Sequence, residues 1–187
     1  MAFLGLVVPE LVAQALAIQE VGGARIDPSV MHVTMLYLGK EVPIDDIVAA
    51  IRVVHGVVSG LEPFKCRVAS IGSFPANPDD GVPVIGRLDP TGISDVRAAL
   101  KDAFDANQVP YSNKYPDFKP HVTLAYADAE VPDRSIEPVV WTCSRLTMWC
   151  GDNDDDGMNV ELPLGGTSDH VEAAIQLVTA ALRLERA

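Results

Sequence analysis

Two histidines of this chain lie in copies of one short motif. Residues 31–39 read MHVTMLYLG and residues 120–128 read PHVTLAYAD, so the copies share His, Val, Thr and Tyr at matching places. With four histidines in 187 residues, chance predicts only about 0.15 His-x-Thr tripeptides. The repeat therefore marks four candidates for chemistry, which are His32, Thr34, His121 and Thr123.

Each motif begins a strand-like run, and side chains at positions i and i+2 of a strand point the same way. His32 therefore shares a face with Thr34. In the second copy, His121 shares a face with Thr123. Imidazole has an unperturbed pKa of about 6.5, so near neutral pH one ring can be neutral while the other is protonated. Two such strands across a cleft would supply a general base, a general acid and two hydroxyls for phosphate oxygens.

The elements around the motifs predict an α+β fold. Alternating and apolar runs predict strands at 3–8, 30–38, 64–74, 82–88 and 121–127. Helical spacing predicts helices from residue 9, over 44–58 and over 93–107. Residues 139–150 and 158–164 are expected to form a final hairpin. This order is typical of a mixed or antiparallel sheet and not of a doubly wound parallel one.

Aromatic and basic residues near the motifs are candidates for substrate binding. Trp149, Tyr115, Phe118 and Phe74 lie in segments expected to form the rim of the cleft, where aromatic rings can stack on a base. Lys119 and Lys114 can place positive charge beside a phosphate.

Three other side chains that could do chemistry are interpreted as structural. Tyr37 and Tyr126 come five residues after their histidines, so simple alternation predicts that they face the core. His55 lies on a predicted helix and is interpreted as an ordinary polar residue.

Composition limits the partners and the compartment. A net charge of −12 repels polyanions, so long duplex nucleic acid is an unfavourable partner. No apolar run approaches the roughly 18 residues that a membrane span needs, so no membrane partner is expected. The three cysteines form no C-x-x-C pair, which favours apolar filler thiols in a reducing, cytoplasmic setting. The acidic run at 152–157 lacks the Glu that closes an EF-hand loop, so we interpret it as a hairpin tip and predict no metal site.

The paired motifs resemble those of the 2H phosphoesterase superfamily, which includes 2′-5′ RNA ligase and RNA 2′,3′-cyclic phosphodiesterase enzymes. The neighbouring residues are also similar, with Leu38-Gly39 after the first copy and Phe118-Lys119-Pro120 before the second. The resemblance covers residues 1–164. It implies a bilobal, pseudo-symmetric α+β fold in which two antiparallel or mixed sheet lobes with outer helices flank a central cleft. It also implies metal-independent chemistry without a cofactor, with His32 and His121 as the acid–base pair and both threonines as phosphate ligands.

The sequence therefore predicts a hydrolase for a cyclic or 2′-linked phosphodiester of a small nucleotide or RNA end. RNA 2′,3′-cyclic phosphates, 2′-5′ linkages and cyclic oligonucleotide signals all stay open as substrates, as does the choice of which histidine is the acid. The alternative is a domain without catalysis that sequesters nucleotides or belongs to a larger phage assembly. Residues 165–187, a Gly-Gly linker and an amphipathic helix, are a candidate surface for self-association or a further partner.

Overall fold

The computed structural model describes residues 1–76, 81–114, 116–151 and 158–185. Its strands are β1 (Ala2–Val7), β2 (Ala24–Arg25), β3 (His32–Gly39), β4 (Phe64–Ser73), β5 (Val82–Leu88), β6 (His121–Ala127), β7 (Arg134–Cys143), β8 (Arg145–Cys150) and β9 (Met158–Pro163). Its helices are α1 (Glu10–Ala17), α2 (Ile44–Val58), α3 (Ile93–Ala106) and α4 (Ser168–Glu185), and a 3₁₀ turn spans Pro28–Val30. The predicted α+β class is confirmed.

Two sheets share these strands. The first has the order β3-β1-β8-β9 and the second has the order β2-β6-β5-β4-β7. All neighbouring strands in the described part of the chain pair antiparallel. Strand β3 of the first sheet contacts strand β6 of the second. The two His-x-Thr strands therefore meet where the sheets adjoin.

The prediction of one strand over 139–150 is wrong, because this segment forms strands in both sheets. Strand β7 pairs with β4 in the second sheet, and β8 then pairs with β1 and β9 in the first. The change comes at Ser144, where the buried positions switch from odd (Trp141 and Cys143) to even (Leu146). That change of phase marks a new strand. The pairing of 158–164 with the end of this segment is confirmed.

Helices cover the core face of the first sheet. Helix α2 packs on β8 and β9 and also contacts α3 and α4. The buried side chains follow helical spacing and comprise Ile47, Ile51, Val54 and Val58 of α2 with Val96, Leu100 and Phe104 of α3. Helix α1 contacts β7 of the second sheet.

The predicted C-terminal helix is α4, and it docks on α2 and β9. Its buried side chains are Val171, Ile175, Val178 and Leu182. Arg52 of α2 approaches Glu172 of α4, with Nε 3.5 Å from Oε1. The apolar stripe of α4 is therefore used within the chain, and its role toward other partners stays a prediction. None of the described helices is long and apolar enough to span a membrane.

Candidate active site

His32 and Thr34 lie on one face of β3. In the β1–β3 ladder His32 is opposite Val7, and Thr34 is opposite Gly5. Both motif side chains are half-buried, whereas Val33 between them is fully buried in the core. The pleat therefore presents the imidazole and the hydroxyl together, on the side of the sheet away from the core.

The second motif has the same arrangement on β6. His121 is opposite Arg87 of β5, and Thr123 is opposite Ile85. Both motif side chains are again half-buried, and the valine between them is fully buried. Because β3 contacts β6, the two faces lie next to each other, and we call the surface that they share the cleft. His32 is close enough for its charge to lower the pKa of His121.

The same type of hydrogen bond holds both imidazoles. Nδ1 of His32 lies 2.8 Å from the carbonyl oxygen of Val30. Nδ1 of His121 lies 2.7 Å from the carbonyl oxygen of Lys119. A carbonyl oxygen only accepts, so Nδ1 carries the hydrogen and Nε2 is left for chemistry. A neutral ring then offers Nε2 as a base, and a protonated ring offers Nε2–H as an acid.

Burial lowers the pKa of both histidines below the ordinary value of 6.5. The cause is the lost hydration of the charged ring, and the bond to the carbonyl opposes it in each case. At His121 the positive charges of His32 and Arg87 lower the pKa further. Two cationic neighbours therefore favour the neutral form of His121, whereas burial is the cause that lowers the pKa of His32.

An aromatic wall lies beside His32. The rings of Phe3 and Trp149 stack with their centroids 4.7 Å apart, and their centroids lie 4.8 and 5.6 Å from that of His32. Gly5 makes room for this wall, because a Cβ there would lie 3.2 Å from Cζ3 of Trp149 and 2.6 Å from the carbonyl oxygen of Val33. Trp149 is thus at the cleft. Phe3 and Gly5 were not predicted, although a glycine inside an apolar strand is a sign of close approach.

A second aromatic contact lies beside His121. The ring of Phe74 meets the imidazole edge-on, with the centroids 4.7 Å apart. The guanidinium carbon of Arg87 lies 5.7 Å from the centre of the same Phe74 ring. Arg87 was also missed by sequence reasoning. Its place on β5 was predictable, but its position opposite His121 depends on the register of β5 against β6.

The sequence model of the 2′-5′ RNA ligase superfamily matches residues 7–155, which include both motifs. The chain belongs to the 2′-5′ RNA ligase superfamily. The membership implied by the paired motifs, in the 2H phosphoesterase superfamily, is thereby confirmed. No significant match was found among curated protein sequences.

Solved structures share the fold of this 2′-5′ RNA ligase superfamily member. TT0787 of Thermus thermophilus matches with a TM-score of 0.68 and 20% identity, over 88% of this chain and 98% of that chain. A phosphoesterase matches with a TM-score of 0.61 and 17% identity, over 86% and 94%. E. coli LigT complexed with 3′-AMP matches with a TM-score of 0.60 and 18% identity, over 86% and 94%. At these identities the likeness concerns the fold alone.

The prediction that Tyr37 and Tyr126 face the core of this superfamily member is wrong. The β1–β3 register skips Met35, and the β5–β6 register skips Leu124, so each motif strand carries a bulge between its threonine and its tyrosine. A bulge shifts the alternation of the residues that follow it. Tyr37 therefore pairs with Phe3 of the aromatic wall, and both tyrosines are half-buried on the cleft face.

Phe118 and Lys119 directly precede the second motif and make different contacts. Arg97 of α3 donates from Nε to the carbonyl oxygen of Met35, at 3.0 Å, and its guanidinium carbon lies 4.6 Å from the centre of the Phe118 ring. Phe118 also packs against the core. Lys119 is exposed and supplies the carbonyl that holds the second imidazole. Arg97 thus connects the bulge of the first motif with the loop before the second.

The remaining candidates lie off the motif strands or outside the described residues. Lys114 is exposed in the loop before β6, and His55 lies on α2. Tyr115 and the acidic run at 152–157 lie outside the described residues, so stacking by Tyr115 and the solvated tip at 152–157 stay predictions.

The three thiols of the chain are buried, as predicted for apolar fillers. Burial raises the pKa of Cys66 and Cys150 to about 12 and that of Cys143 to about 11. A nucleophilic thiol needs the opposite shift, toward the thiolate.

Proposed function

We propose that the protein hydrolyses a nucleotide phosphodiester by acid–base catalysis with His32 and His121. The observation that carries this proposal is the matched pair of Nδ1–carbonyl bonds, which leaves Nε2 of each ring for the same cleft. Membership of the 2′-5′ RNA ligase superfamily supports phosphoester chemistry. The complex of E. coli LigT with 3′-AMP, in a neighbouring structure, supports a ligand with phosphate on the ribose.

In the proposed reaction His121 is the base and His32 is the acid. The charges of His32 and Arg87 favour neutral His121, whose Nε2 takes a proton from a water molecule. The water oxygen forms a bond to phosphorus, and the phosphorus bond to the leaving ribose oxygen breaks. That oxygen receives the proton of Nε2–H of His32. Proton exchange with solvent then restores both rings.

The threonine hydroxyls are proposed to hold the phosphate in place. Thr34 and Thr123 each lie two residues from an imidazole, on the same face of the strand. A hydroxyl there can donate to a non-bridging phosphate oxygen, where negative charge increases in the transition state. The protonated histidine stabilises the same charge.

Thr34→Val and Thr123→Val are each expected to lower kcat/KM by about tenfold, the effect of one lost hydrogen bond to a charged group. Valine keeps the branched shape and removes only the hydroxyl. Thr142→Val is the matched control, because the hydroxyl of Thr142 on β7 accepts a hydrogen bond from Lys65 and lies on neither motif strand. Wild-type kcat/KM in both motif variants, with the fold unchanged by circular dichroism, would remove the threonines from the mechanism.

The substrate class is proposed more narrowly as a small nucleotide or RNA end, cleaved without metal or cofactor. A panel in excess EDTA tests this, and it comprises a nucleoside 2′,3′-cyclic phosphate, a 2′-5′-linked dinucleotide and a cyclic dinucleotide. We expect hydrolysis of at least one of them, and the double variant H32A/H121A supplies the blank. Activity that appears only after a metal is added would contradict the metal-free mechanism. Nucleotide binding with no hydrolysis of any member would favour the non-catalytic alternative.

A further inference from the structure

Arg87 is a cation of the cleft to which the reaction proposed above gives no contact with substrate. We propose that Arg87 binds a second phosphate of the substrate, which does not react, beside the phosphate that lies between the histidines. This inference rests on the proposed function and narrows it. The preferred substrate then carries a phosphate on each side of the ribose whose phosphodiester is cleaved.

The guanidinium of Arg87 is fixed along one edge. Nε and Nη2 donate to Oδ1 of Asp133 at 3.2 and 2.9 Å, and Nη2 also donates to the carbonyl oxygen of Ser73 at 3.2 Å. Gly72 makes room for this pair, since a Cβ there would overlap the Asp133 carboxylate and lie 3.1 Å from Nη2. The side chain is therefore held in one orientation before a ligand binds, which reduces the entropy cost of binding.

The Nε and Nη2 edge of the Arg87 guanidinium lies over β4, on the far side of β5 from His121. Ser73 and Gly72 belong to β4, whereas the imidazole belongs to β6. Neighbouring strands are about 4.8 Å apart, which puts the guanidinium one to two strand spacings, roughly 5–10 Å, from the histidine strand. That offset suits a phosphate one ribose away from the reacting phosphorus better than the reacting phosphate itself.

One corner of the guanidinium is free to bind a ligand. The two N–H groups of Nη1 make no hydrogen bond with the described residues, and about a third of the side chain (32%) is exposed. Asp133 is itself 68% exposed, so this surface ion pair holds the arginine in place without burying its charge. Arginine N–H groups form strong, charge-assisted bonds to phosphate. In a chain of net charge −12, such a fixed cation is well suited to select a ligand with an additional phosphate.

The test compares two product-like ligands by isothermal titration, which needs no turnover. Adenosine 3′-monophosphate carries only the phosphate expected at the histidines, and adenosine 3′,5′-bisphosphate adds the second one. Wild-type protein should bind the bisphosphate at least about tenfold more tightly, the effect expected of one charged hydrogen-bonded contact. Arg87→Met should abolish that preference, and Arg87→Lys should keep part of it. Arg67→Met is the matched control, because Arg67 lies on β4 and its charge interacts with Asp89.

Equal affinity of the wild-type protein for the two ligands would overturn the proposal. It would also be overturned if Arg87→Met lowered the affinity for both ligands by the same factor, because a purely structural ion pair would give that result. A dinucleotide ending in a 3′-phosphate distinguishes a chain phosphodiester from a terminal phosphate as the second group. If the bisphosphate preference depends on Arg87 while none of the panel above is hydrolysed, the subsite stands and the proposed reaction fails.

Discussion

Replacing His32 or His121 by alanine is expected to lower kcat/KM by at least about a hundredfold, the usual contribution of a positioned acid or base. Each ring is half-buried and its Nδ1 bonds a backbone carbonyl. Removal of either ring should therefore leave the fold intact. The readout is steady-state hydrolysis of the panel substrate that the wild-type protein cleaves, with circular dichroism as the check on folding.

His55→Ala is the matched control, since His55 lies on α2 and not on a motif strand. The two motif variants should also differ from each other. A nitrophenyl phosphodiester has a leaving oxygen that needs little protonation. This substrate should therefore restore more activity to His32→Ala, the variant without the acid, than to His121→Ala. The reverse pattern would exchange the two roles. Near-wild-type activity in either variant would contradict acid–base catalysis by the pair.

The pH profile of kcat/KM is expected to be bell-shaped, with its maximum below about pH 6.5, because one ring is protonated and the other is neutral in the reactive form. Burial lowers both pKa values below the ordinary 6.5, and the charge of Arg87 lowers that of His121 further. Each ring therefore stays neutral to a lower pH than a free imidazole does. Above the higher pKa the acid loses its proton, and the rate falls about tenfold per pH unit.

At about pH 8.5, roughly two units above the ordinary pKa of 6.5, kcat/KM should be at least about a hundredfold below its maximum. Arg87→Met should move the profile toward higher pH, because it removes a charge that lowers the pKa of His121. The measurement uses one buffer series at constant ionic strength, since salt screens exposed charges. A rate that is flat over this range, or highest in alkali, would be incompatible with two histidines of lowered pKa.

The sequence was sufficient to predict the direction in which the motif side chains point. His32 shares a face with Thr34, and His121 with Thr123, because side-chain alternation over two residues is set by the pleat alone. Alternation did not predict the orientation of Tyr37 and Tyr126, which come five residues after the histidines. The bulges at Met35 and Leu124 are changes of pairing with a neighbouring strand, and they bring the motif tyrosines to the cleft face.

The rest of the site depends on contacts between distant parts of the chain. Trp149 reaches His32 because Gly5, far away in sequence, has no side chain in its path. Arg87 is beside His121 only because β5 pairs with β6 in one register, and Asp133 then fixes its orientation. Local patterns predict which residues form a strand, but they do not predict which residues of other strands lie opposite.

One phosphate is expected to lie between His32 and His121, and nuclear magnetic resonance of the imidazole nitrogens in isotope-labelled protein observes both rings at once. Adenosine 3′-monophosphate is titrated into the protein at the pH of maximal kcat/KM. The nitrogen chemical shifts of both rings should change with a single dissociation constant, and the bound anion should stabilise the protonated imidazole. Both Nδ1 atoms should remain protonated, because their carbonyl partners only accept. Chemical-shift changes confined to one ring, or different dissociation constants for the two rings, would contradict binding of one phosphate between the two histidines.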